Sequence, residues 1–295
     1  MIRLVVLGSG GAVPSPERNL TSIAMRYCGN VYLFDCAEGT QRQMMKYGIS
    51  YAKVRMIFLT HLHGDHIFGI PGLVRTLMMI ERKEKLEIYG PIGTRRRITN
   101  LIGGESDIVE IYEISPGFEI ELEGKDGAVI RAFKTEHTNN SLGYVFEERE
   151  KRRFDKEKCK ELGVRGRMFR ILEEKGEVEK NGRKIRIEEV TYIKPGRKIV
   201  YTGDTMFCSE VVKNSKNADI LFHEATFMES EREDANEDKH STVLDAARVA
   251  KEANVKKLVL IHISNRYKNP RKMEEEGKTI FENLKVAEDG DEFLL

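Results

Sequence analysis

His61-Leu62-His63-Gly64-Asp65-His66 places four side chains able to hold a metal ion within six positions, in a chain with only seven histidines. Ordinary surface turns do not carry such a density of donors. On a tight turn this spacing lets His61 and His63 point to one side while Asp65 and His66 point to the other, serving two neighbouring ions. Two ions need further ligands, and His137, Asp204 and His262 supply the same donor types, each after a short apolar run. Imidazole and carboxylate without thiolate suit two Zn2+ per chain, and Mn2+, Fe2+ or Co2+ tolerate the same set. Two such ions, roughly 3.5–4 Å apart, activate a water and neutralise charge on a departing oxygen. The implied chemistry is hydrolysis of an ester.

The elements that must position these residues are short and rich in β-branched side chains. Leu4-Val5-Val6-Leu7, Val31-Tyr32-Leu33-Phe34, Met56-Ile57-Phe58-Leu59, Ile199-Val200-Tyr201, Ile220-Leu221-Phe222 and Leu258-Val259-Leu260-Ile261 read as buried strands. Helical patterns over residues 39–47, 69–80 and 243–253 fall between them, which predicts an α/β body. In such bodies the site crevice forms where strands end, and the candidate ligands recur at strand ends. Gly8-Ser9-Gly10-Gly11 resembles a dinucleotide loop, but Val13 stands where the third glycine belongs, and that reading is rejected.

With 295 residues, the chain is expected to form one domain over 1–295 carrying an insertion over 147–198. That segment holds 18 Lys/Arg against 12 Asp/Glu, a net +6, whereas the rest of the chain carries −5 and the whole +1. Taken alone, such a charge run reads as a solvated, salt-bridged hairpin. Four scattered cysteines without a Cys-x-x-Cys pair argue against a disulfide framework. No apolar run approaches the ~18 residues of a membrane span. A cytoplasmic protein without a membrane partner is expected.

The full His-x-His-x-Asp-His signature with a later His, Asp and His resembles the metallo-β-lactamase superfamily. The resemblance implies a four-layer αβ/βα sandwich, with His61, His63 and His137 on one ion, Asp65, His66 and His262 on the other, and Asp204 bridging. Four further motifs resemble the ribonuclease Z family: Phe34-Asp35-Cys36-Ala37-Glu38-Gly39-Thr40-Gln41-Arg42-Gln43, His223-Glu224-Ala225-Thr226, His240-Ser241-Thr242 and His262-Ile263-Ser264-Asn265-Arg266-Tyr267. That likeness implies a zinc-dependent endoribonuclease, working as a homodimer, that cuts the 3′ trailer from precursor tRNA and leaves a 3′-hydroxyl on the tRNA and a 5′-phosphate on the trailer.

Within this reading Asp65, His240 and Glu224 are the catalytic candidates. A positioned imidazolium can donate to an alkoxide leaving group, and a carboxylate can orient the ring. The insertion falls where the family carries a flexible arm that grips tRNA, so its positive charge gains a use. Arg165 and Arg167 in that arm, Arg18 and Asn19 in Pro14-Ser15-Pro16-Glu17-Arg18-Asn19, and Arg266 are the RNA-binding candidates. Two departures from the family pattern stand out: Gly166 is followed by Arg167 where a proline is usual, and Pro16 replaces a lysine. The alternatives are a small-molecule phosphodiesterase of the same fold and a non-catalytic RNA-binding protein.

Overall fold

The computed structural model describes residues 1–124 and 127–295. Its strands in chain order are β1 (Arg3–Gly8), β2 (Gly10–Gly11), β3 (Ser22–Tyr27), β4 (Asn30–Phe34), β5 (Val54–Phe58), β6 (Leu86–Gly90), β7 (Val109–Glu113), β8 (Glu119–Leu122), β9 (Ala128–Lys134) and β10 (Leu142–Glu148). They continue as β11 (Lys151–Phe154), β12 (Glu177–Lys180), β13 (Arg183–Arg186), β14 (Thr191–Lys194), β15 (Lys198–Tyr201), β16 (Ile220–Glu224), β17 (Leu258–Ile261), β18 (Ile263–Ser264), β19 (Leu284–Val286) and β20 (Glu292–Leu294). The helices are α1 (Thr40–Lys46), α2 (Gly64–Ile67), α3 (Ile70–Met79), α4 (Thr94–Ile102), α5 (Lys156–Glu161), α6 (Arg167–Lys175), α7 (Ser209–Ser215), α8 (Arg232–Asp238), α9 (Val243–Glu252) and α10 (Arg271–Lys278).

Two seven-stranded sheets result, ordered β20-β1-β3-β4-β5-β6-β7 and β19-β17-β16-β15-β10-β9-β8. Alternation along the strands explains why they read as continuous apolar runs. In β1, Leu4 and Val6 face the core between the sheets while Val5 and Leu7 face a helix layer. In β17, Val259 and Ile261 face the central core while Leu258 and Leu260 face the other helix layer. Successive side chains point to opposite faces of a strand, so a strand buried on both sides is apolar throughout. Residues of α1, α3 and α4 pack on the first sheet, and residues of α7, α9 and α10 on the second. The expected four-layer αβ/βα sandwich is therefore present.

Strands β4 to β7 are parallel, as are β15, β16, β17 and β19. The carboxyl ends of β4, β5, β15 and β17 lead into Asp35, the His61–His66 turn, Asp204 and His262, and β16 ends at Glu224. The charged segment leaves β10 and returns in β15, whose residues Glu147 and Lys198 pair. It is not a plain hairpin. Its strands β11 and β14 form a two-stranded stem, β12 and β13 a second ribbon, and α5 and α6 pack with them. Cys159, Val164, Leu172, Val178, Ile185 and Val190 form a core of its own.

Candidate metal and catalytic centre

Six of the seven histidines converge at one edge of the sandwich; His223 is buried nearby with its Nδ1 2.7 Å from the carbonyl of Glu224. Ring or carboxylate atoms of His61, His63 and His137 lie within 4.8 Å of one another, as do those of Asp65, His66 and His262. Asp204 sits between the two groups. Its Oδ2 is 3.6 Å from His61 Nε2, 3.3 Å from His66 Nε2, 3.4 Å from His262 Nε2 and 3.9 Å from His137 Nε2. The seven residues expected to hold metal are thus brought together.

Four rings are fixed from behind through Nδ1, which leaves Nε2 facing the cluster. His61 meets Thr60 Oγ1 at 3.1 Å, His66 meets Asp35 Oδ2 at 2.7 Å, His137 meets the Lys239 carbonyl at 3.0 Å, and His262 meets Thr226 Oγ1 at 2.9 Å. His63 is the exception: its Nδ1 faces His137 at 3.3 Å. Asp65 Oδ2 accepts from the Ala12 backbone N–H at 3.0 Å.

Whether this cluster fits cations can be decided from its unsatisfied atoms. His61 Nε2, His66 Nε2 and Asp204 Oδ1 are buried without a hydrogen-bond partner. Buried polar atoms are ordinarily satisfied, and three convergent orphans among imidazoles and a carboxylate fit divalent metal. Electrostatics agree. Burial opposes ionisation of Asp65 and Asp204, but the surrounding imidazoles, His262 first, hold both carboxyls below their usual range. Burial drives the His61 imidazole far below its ordinary value, which keeps it a neutral donor.

Glu224 and His240 form a second arrangement beside the cluster. The Glu224 carboxylate is fully buried and takes His240 Nδ1 at 2.7 Å, the Thr205 N–H at 2.9 Å and the Thr226 hydroxyl at 2.8 Å. Burial pulls the His240 imidazole down, but the Glu224 charge and hydrogen bond outweigh it and raise the ring to about 9. His240 therefore carries a proton at neutral pH and has Nε2 free of Glu224. The backbone around it is pinned by Ser241 Oγ, which donates to the Thr205 carbonyl at 2.6 Å, and by a capping box between Thr242 and Asp245 that opens α9.

The RNA-binding candidates divide. Arg165 and Arg167 are exposed on the charged module. Arg18 is corrected: it is only 9% exposed, and its guanidinium donates to Ser9 Oγ and the Ala287 carbonyl rather than facing solvent. Asn19 is also engaged inside, its amide donating to the Glu38 carbonyl at 2.9 Å and its backbone N–H to Asp289 at 2.7 Å. Arg266 donates to Glu231 at 2.7 Å and lies 5.0 Å over the Phe227 ring, while Tyr267 OH accepts from the Met228 N–H at 3.0 Å. Both residues clasp the segment that leads to His240.

Sequence reasoning gave no role to Asp35. It is fully buried, and it accepts from the Thr60 N–H at 2.8 Å and the Tyr201 hydroxyl at 2.6 Å besides holding His66. The strand-end rule that pointed to the candidate ligands applies to Asp35 too, directly after β4.

Comparison with known proteins decides the family. Residues 2–156 match the family model described as Anti-Pycsar protein Apyc1, and residues 164–263 match the beta-lactamase superfamily domain. A ribonuclease Z from Methanosarcina acetivorans is 42% identical over 297 residues, covering 98% of this chain and 96% of the relative. The chain belongs to the ribonuclease Z family. Human tRNase Z, short form, superposes with a TM-score of 0.69 at 29% identity, covering 99% of this chain and 98% of the other. YhfI from Bacillus subtilis, a metallo-beta-lactamase fold protein, gives a TM-score of 0.72 at 20% identity with the same coverage, a likeness of fold alone. The ribonuclease Z family membership thus spans both sheets and the charged module between them.

Proposed function

We propose that this chain is a two-zinc endoribonuclease that removes the 3′ trailer from precursor tRNA, leaving a 3′-hydroxyl on the tRNA and a 5′-phosphate on the trailer. The observation that carries the reading is the buried Glu224 holding His240 at 2.7 Å beside the seven-residue cluster. A cluster alone serves many hydrolytic reactions. A charged imidazole supported by a buried carboxylate adds a donor for an alkoxide leaving group, which phosphodiester cleavage requires.

His61, His63 and His137 would hold one zinc ion and Asp65, His66 and His262 the other, with Asp204 shared. Bound zinc supplies Lewis-acid stabilisation of phosphate charge and a nucleophile at neutral pH. Asp65, kept ionised by its neighbours, takes a proton from the attacking water. His240 gives the proton on Nε2 to the departing O3′, and Glu224 holds the ring in register through Nδ1 and stabilises its charge.

Residues 147–198 act as an RNA-binding arm on the single domain 1–295, with Arg165 and Arg167 on its exposed face, and the net +6 favours phosphates. Exposed Met45, Phe68, Met78 and Met79, on and beside α1 and α3, support pairing as a homodimer. Free cysteines support a cytoplasmic location. No helix among the described residues is long and apolar enough to cross a membrane.

The test is cleavage of an end-labelled precursor tRNA beside bis(p-nitrophenyl) phosphate, each with and without a chelator. Chelator-sensitive cutting at the acceptor end, leaving a 3′-hydroxyl, is expected. Activity on the small diester alone would mark a small-molecule phosphodiesterase, and tRNA binding without cutting of either substrate would mark a non-catalytic RNA-binding protein.

A further inference from the structure

The charged module carries a groove of about 600 Å³ bordered by Phe154, Phe169, Val164, Lys156, Lys160 and Arg165. That volume lies within the range of small-molecule sites, roughly 300–1,000 Å³. Phe154 and Phe169 meet edge to face, with centroids 4.9 Å apart and ring planes at 78° to one another. Both rings rest on the module's own core and remain partly exposed.

The rim is cationic and the floor is not. Lys156, Lys160 and Arg165 are exposed, and no acidic residue is among those that line the groove. An aromatic floor inside a ring of cations matches an unpaired nucleobase with a phosphate on either side. Stacking on an aromatic ring is tolerant of base identity, and the cations track the backbone.

We propose that this groove captures one unstacked base of the RNA against the exposed side of the Phe154–Phe169 pair, with the flanking phosphates on Lys156, Lys160 and Arg165. The inference rests on the reading of the module as an RNA-binding arm and adds a defined contact to it. The arm then does more than attract phosphates. It favours RNA in which a loop offers an unpaired base over a continuous duplex of equal charge.

The chain contains no tryptophan, so Phe169→Trp places a single reporter in the groove. The metal-loaded variant is titrated with a precursor tRNA carrying a non-cleavable linkage at the cut site. Saturable quenching of emission is expected, and binding by filter retention with unchanged emission would overturn the proposal. Phe169→Leu keeps an apolar floor without a ring. It is expected to weaken tRNA binding about tenfold, within the range for loss of one stacked base, while its salt dependence and bis(p-nitrophenyl) phosphate hydrolysis stay as in the parent. Unchanged tRNA affinity in Phe169→Leu also overturns it.

Lys156→Glu with Lys160→Glu separates the two levels of the argument. If the charge variant weakens tRNA binding and flattens its salt dependence while neither Phe169 variant has its expected effect, the arm reading stands and base capture falls. If the charge variant has no effect either, both fall. Emission that changes with protein concentration alone, without RNA, would seat a second copy of the chain in the groove and also overturn the proposal.

Discussion

Gly11 offers a clean way to move one candidate metal ligand, His262, without altering any of the seven. A Cβ built on Gly11 would lie 2.5 Å from Cε1 and Nδ1 of His262 and 2.8 Å from its Cγ. Carbon atoms pack at roughly 3.5–4.0 Å, so Gly11→Ala obliges the ring to retreat by about 1 Å. That shift is half the length of a zinc–nitrogen bond of about 2.0–2.1 Å. It would also strain the 2.9 Å contact between His262 Nδ1 and Thr226. Loss of such an orienting partner typically weakens metal affinity about 10–100-fold, and a displacement near 1 Å in a catalytic site costs about 10²-fold in rate. Zinc affinity by chelator competition and kcat for both substrates are the readouts. Gly10→Ala is the control: it belongs to the same short strand β2, but its Cβ would meet Arg18 Cβ at 3.2 Å and does not approach the ring. Full zinc affinity and kcat in Gly11→Ala, or an equal loss in Gly10→Ala, would refute the reasoning.

Replacing His240 by Ala should leave metal content unchanged and lower kcat about 10²–10⁴-fold; Glu224→Gln should act in the same direction, and the double variant should be less than additive because both serve one step. Arg266→Ala should lower kcat for precursor tRNA and for the small diester alike, with the salt dependence of tRNA binding preserved; a change confined to tRNA affinity would return Arg266 to the RNA interface. Arg232 donates to Glu229 at 2.6 Å and holds that carboxyl below its usual range. A depressed carboxyl stabilises the fold above its unfolded pKa of about 4.3 and loses that contribution as pH falls below it. The melting-temperature deficit of Glu229→Gln should therefore shrink from pH 7 to pH 3.5, as thermal unfolding across that range would show.

Much of this site was legible because strand ends obey a simple rule. The runs ending at Leu59, Tyr201 and Ile261 close within a residue of where β5, β15 and β17 close, and candidate ligands follow each. The helical patterns over 39–47, 69–80 and 243–253 match α1, α3 and α9 within a residue or two at each end. The intramolecular partners of Arg18 and Arg266 were hidden for a different reason. A sequence shows that a guanidinium is present, but the Ala287 carbonyl that takes Arg18 lies 269 residues away, and no local pattern announces it. Asp35 was hidden inside a motif whose neighbours drew the attention. The charged module was opaque because its six core residues are scattered among dense charges, and their spacing follows neither a single helix nor a single strand.

The charged module has its own core, and the two four-residue strands β11 and β14 connect it to the sandwich. Small cooperative units of this kind open at a lower free-energy cost than the body that bears them. On warming, the arm should then melt while both sheets and their metal cradle remain intact. On the proposed function, a temperature window then lies between those two events in which the molecule would still hydrolyse small diesters but would have lost its means of choosing an RNA. Fidelity, in such a design, fails before catalysis does.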